Sequence, residues 1–129
     1  MTAETLRRAA DQMRERAEKA TQGRWETSSK ALTHPGDGTN VYSDLEGPVV
    51  ADCCGYQGGA GIEDGEHIAS WHPAVALAVA DWLDHDAEAW EQYEKQGQGL
   101  PFARRERSLA VARAYLGENE SFRPERGAE

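Results

Sequence analysis

From Ala31 to Glu94 the sequence has no lysine and no arginine, against 13 aspartates and glutamates. A duplex-binding surface in this stretch is therefore excluded, because affinity for DNA rests on phosphate neutralisation by basic side chains. Cysteine is nearly as scarce. The chain has only Cys53 and Cys54, and neighbours in sequence close a disulfide only as a strained ring, so no disulfide framework can hold the fold. Long apolar runs are missing too: none approaches the roughly 20 residues that span a bilayer. The first residues, MTAETLRRAADQM, lack the apolar segment of a secretory signal. The expected location is the cytoplasm. No GxSxG, Walker, HExxH or kinase motif is present, and no acid, base and nucleophile converge at a recognisable spacing. The reading is accordingly of a protein that is not an enzyme.

What is present is strongly segregated. The flanks, Met1 to Lys30 and Lys95 to Glu129, each carry 7 basic and 5 acidic residues, so the net charge of −9 arises entirely in the middle. Basic end helices folded back on an acidic centre would account for this pattern, as would an acidic face offered to a basic partner. Only 39% of the 129 residues are hydrophobic, which is low for a globular chain and points to long loops or a homo-oligomeric interface.

Periodicity gives an α+β fold, with a small antiparallel β-meander packed against a central buried helix and amphipathic N- and C-terminal helices. It is expected as one domain over residues 1–117 with a flexible tail over 118–129. Leu6, Ala9, Ala10, Met13, Ala17 and Ala20 recur at spacings of three and four and predict a first helix ending near Ala20, with Gly23 as its stop. Arg24 to Ser28, Asn40 to Ser43 and Pro48 to Cys54 are the strand candidates. Ala31 to Thr39 and the glycine-rich Gly55 to Gly65 are expected loops, with Asp64 capping a short helix from Glu66 to Trp71. A bend at His72 and Pro73 as first residue then open the core helix, whose run from Ala74 to Ala80 contains no polar side chain. Gly97 and Gly117 are placed to end the last two helices.

The combination of Thr21, Gly23, Trp25 and Glu26, a strand running to paired cysteines, and the pattern EHIAxxxPAxxLAxxxWL over Glu66 to Leu83 resembles small accessory proteins of phages and prophages. It is similar to the Ead-like proteins of lambdoid phage early regions and, more closely, to uncharacterised actinobacterial phage proteins. The likeness runs from about Leu6 to Leu83, although those proteins often have prolines where this chain has Gln22 and Arg24. The resemblance implies a phage-borne, non-essential, host-modulating role directed at a host defence system. It brings no catalytic motif with it.

Arg104, Arg105 and Arg107 cluster at the start of the last helix, where cations oppose the positive end of the helix dipole. An anion is needed there. The acidic middle of the chain, or of a neighbouring subunit, is one candidate; a phosphate-bearing ligand is the other, with Arg24 assisting and Trp25, Tyr56 or Trp71 stacking on a base. Gly58 and Gly59 of the glycine-rich stretch, with His67 and His72, complete the expected ligand-binding set. On this reading the protein sequesters a phosphorylated nucleotide signal, such as a cyclic nucleotide or an ADP-ribose derivative, without transforming it and without a cofactor. Two other classes stay open. The acidic centre could mimic nucleic acid and block a host protein. A metal-dependent hydrolase would need ions held by Asp81, Asp84, His85, Asp86 and Glu88, or by Cys53, Cys54, His67 and His72, whose spacing matches no standard zinc pattern.

Overall fold

The computed structural model describes residues 2–27, 40–45, 49–53 and 62–118. Four helices and a three-stranded antiparallel sheet confirm the α+β class. The elements are α1 (Thr2–Lys19), β1 (Trp25–Thr27), β2 (Asn40–Ser43), β3 (Val49–Asp52), α2 (Ile62–Ser70), α3 (Pro73–Lys95) and α4 (Phe102–Leu116). The chain divides into two compact units, one formed by Met1–Met13 and Val79–Glu129 and the other by Arg14–Ala78. The expected loop from Ala31 to Thr39 and the tail beyond Glu118 lie outside the described residues, as do Cys54, Tyr56, Gly58 and Gly59.

In the first unit the three-and-four spacing of α1 becomes a core. Leu6, Ala9, Ala10 and Met13 pack with Ala80, Leu83, Ala87 and Trp90 of α3, with Leu100, and with Leu109 and Ala112 of α4. Five of these are alanines, so the helix surfaces meet through very short side chains and the few large residues fill what remains. Both later helices stop as their glycines predict. Gly97 and Gly117 take φ of 76° and 75°. Each is followed by a residue whose N–H reaches back five positions, Gln98 to the carbonyl of Tyr93 and Glu118 to that of Arg113, both at 2.8 Å. This paired closure satisfies the last helical carbonyls and requires the left-handed backbone that glycine adopts freely.

The Glu118 carboxylate also receives a two-pronged hydrogen bond from Arg8, at 2.6 and 3.1 Å. That bond holds the Glu118 carboxyl below the usual carboxylate range and raises Arg8 above its ordinary value. A carboxyl depressed in the folded state stabilises it above the unfolded value, and the contribution is lost as pH falls through the folded one. The pair should therefore be intact from neutral pH down to the ordinary carboxylate range near about 4.3 and disappear only below it. A carboxyl-detected NMR titration of Glu118 checks this; an ordinary midpoint, unchanged by Arg8→Ala, would show that the two side chains do not hold each other.

In the second unit β1, β2 and β3 form the expected meander, in the order β1-β2-β3, and α2 lies across β1 and β2. Tyr42 pairs with Val49 and Val41 with Ala51, so Val50 is an extra residue on β3. This bulge breaks the strict two-residue alternation of a regular strand, and Val49 is 53% exposed. The Cys53 thiol is half-buried, and burial together with Asp64 and Asp52 pushes its pKa up, away from the thiolate form. Gly23 turns out not to be the stop of α1, which ends at Lys19 with its carbonyls taken by the Gln22 amide. Gly23 is required for another reason: its φ is 103°, and a Cβ there would sit 2.7 Å from a carboxylate oxygen of Asp44 and closer still to the Ser43 hydroxyl.

Two expectations about the helices are corrected. α2 begins at Ile62 rather than Glu66, because Glu63 and Asp64 in its first turn complement the helix dipole and outweigh the single Gly65. The run from Ala74 to Ala80 is not buried on nearly every side. Pro73, Ala76 and Ala80 are buried, but Ala74 and Ala78 face solvent. Alanine secures the helix through its propensity and has almost no surface to hide, so an unbroken apolar run need not mean an all-round core. The bend at His72 and the start at Pro73 are as expected, with the His72 carbonyl accepting from Val75 and Ala76.

Candidate ligand-binding site

The first two turns of α4 carry Arg104, Arg105 and Arg107, with no acidic residue in the first turn and no side-chain cap at Pro101. The three arginines have different fates. Arg104 turns inward and places both Nε and one Nη atom 2.7 Å from a carboxylate oxygen of Asp86 on α3. Asp86 is 2% exposed. Its second oxygen accepts from the Trp82 indole N–H at 3.0 Å and from the hydroxyl of Ser108, which is itself fully buried. A carboxylate removed from water at this cost is tolerable only because donors surround it. The anion that the basic helix start required is thus supplied, for Arg104, by the acidic middle of the same chain. Arg7 on α1 pairs with Glu91 of α3 at 2.7 Å in the same sense.

Arg105 points elsewhere. Its guanidinium lies 6.0 Å from the ring centre of the buried Trp90 and 5.3 Å from that of Phe102, one helical turn before it. The only ion pair it makes among the described residues is a 4.0 Å contact with its neighbour Glu106. One third of its side chain reaches solvent, as does 68% of Phe102. Arg107 is exposed and makes no ion pair among the described residues.

The remaining expected site residues belong to the other unit or lie outside the described residues. Arg24 is exposed, with its backbone N–H donated to Asp44 at 2.8 Å. Trp25 is half-buried and gives its indole N–H to the carbonyl of Thr21. His67 is exposed, Trp71 is 39% exposed, and the Nδ1 atom of His72 is buried with no hydrogen-bond partner among the described residues. Of the acidic set, Asp86 is turned into the protein while Asp81, His85 and Glu88 face out. Among the described residues no group of three or more histidines, cysteines and carboxylates is placed to hold a metal ion.

No family model, no curated protein and no solved structure matches the chain. The site is therefore read from its own geometry.

The residues that sequence reasoning missed are Phe102 as a ring partner and Asp86 and Ser108 as buried polar groups. A signal for the last two was available. Asp86 falls three residues after Leu83 and four before Trp90, and Ser108 four before Ala112, so both sit on the apolar stripes of their helices. A carboxylate on an apolar stripe opposite surplus arginines asks for a buried pair.

Proposed function

We propose that the protein is a non-catalytic binding module that captures a phosphorylated small-molecule signal in the host cytoplasm and thereby blunts a host defence. The observation that carries this reading is Arg105, a guanidinium lying over two aromatic rings, partly open to solvent and opposed, among the described residues, only by a distant neighbouring carboxylate. A guanidinium held between such neighbours loses less side-chain freedom on binding an oxyanion. Arg107, exposed and without an ion pair among the described residues, adds a second cation nearby in sequence. Arg104 does not belong to the binding set, because Asp86 already occupies it.

The acidic-mimic reading draws its support from the exposed carboxylates of α3 but lacks a feature that would fix a partner. Calorimetry against cyclic nucleotides and ADP-ribose derivatives separates the two. Binding of one of them, weakened at least tenfold by Arg105→Ala, is the expected result. Silence with every nucleotide, together with salt-sensitive capture of a basic host protein, would replace this reading with the other.

A further inference from the structure

We infer that the Phe102–Arg105 pair selects a ligand in which a phosphate and a flat heteroaromatic ring are joined by a spacer, as in a nucleotide. This rests on the reading of a phosphorylated ligand and goes on to assign its second half. A singly exposed aromatic residue ordinarily needs no explanation. Phe102 differs in that one face of its ring is occupied by the Arg105 guanidinium, at 5.3 Å, while 68% of the residue remains accessible. The free surface is therefore the opposite face and the edge. A base can stack on that face whatever its identity, since every base presents a π surface.

The guanidinium lies on the other side of the phenyl ring, with Trp90 as its second ring neighbour. A phosphate bonded directly to the stacked ring could not reach it there. A phosphate separated from the ring by a sugar can pass round the edge of Phe102. Trp90 is 4% exposed and offers no stacking surface of its own, so its part is to help hold Arg105 in place. The pair thus requires both halves of the ligand and a link between them.

The test uses the full chain and calorimetry with AMP, GMP, ribose 5-phosphate, phenyl phosphate and inorganic phosphate. AMP and GMP should bind about tenfold or more tightly than ribose 5-phosphate, in keeping with the usual strength of base stacking on an aromatic side chain. Phe102→Ala should cost AMP and GMP about tenfold or more and ribose 5-phosphate distinctly less, since only the former lose a stacked base, and Arg105→Ala should weaken every phosphate. Phe102 is largely exposed, so circular dichroism should show the Phe102→Ala protein folded. Equal affinity for AMP and ribose 5-phosphate, phenyl phosphate matching AMP, or a Phe102→Ala protein that keeps full AMP affinity would overturn the ring assignment while leaving a phosphate ligand in place. Absence of heat with all five would overturn the ring assignment as well, and the phosphorylated-ligand reading itself falls only if cyclic nucleotides and ADP-ribose derivatives are also silent.

Discussion

Arg104→Met should destabilise the protein by about 3–5 kcal/mol, the cost of leaving a buried carboxylate without its charge partner. Asp86 is 2% exposed and keeps only two neutral donors once the guanidinium is gone, the Trp82 indole and the Ser108 hydroxyl. Arg104 itself is 37% exposed, so water can reach the vacated position and the lower half of that range is the better expectation. Removing the whole group should act quite differently. In Asp86→Leu/Arg104→Met/Ser108→Ala no buried polar atom is left without a partner, and the released Trp82 indole, on a residue 40% exposed, can find water. Replacing a buried ion pair by apolar groups of similar volume is often neutral or stabilising. The triple variant should therefore recover most of what Arg104→Met loses. Urea denaturation of the two proteins checks the pair; equal destabilisation of both would show that the network contributes through packing rather than through satisfied charge. The same substitution cannot serve as a probe of ligand binding, because its effect on the fold comes first.

How far the sequence disclosed all this depended on whether a signal was local. Helix ends set by Gly97 and Gly117, the turn from α2 into α3 at His72 and Pro73, and β2 were legible because backbone preference alone decides them. The Val50 bulge was not, since a two-residue period over four residues cannot reveal which one the partner strand skips. Gly23 was read as a helix stop when its real constraint is the close approach of Ser43 and Asp44, some twenty residues later in the chain. Of the two accounts of the charge segregation, folding back of the basic ends is seen in Arg7 with Glu91 and Arg104 with Asp86. Choosing which acid takes which arginine needs the crossing of two helices, which no spacing along one of them contains. The same holds for Arg105: its ring partner Phe102 sits three residues away on one helix face, but Trp90 comes from another helix.

Leu83→Ala should cost about 2–5 kcal/mol, in the upper part of that range. Leu83 is fully buried, and so are Ala9, Ala10, Ala80 and Ala87 in the same core. The cost of deleting a core leucine depends on how much of the resulting void the neighbours can fill. Alanine side chains cannot swing into it, and closing the gap would require moving helix backbones that the 0%-exposed alanines already hold in contact. Leu6, Met13, Leu100 and Leu109 are the larger flexible residues of that core, and methionine is the most adaptable of them. If Met13 fills part of the void, Leu83→Ala/Met13→Leu should be worse than the two single effects added together, since the less flexible leucine could no longer relax into the space. Leu83→Met, which keeps the volume, should stay below about 1.5 kcal/mol. A loss under about 1 kcal/mol for Leu83→Ala in urea melts would mean that the helices close over the vacancy, and that the short alanine contacts do not fix the spacing of this core.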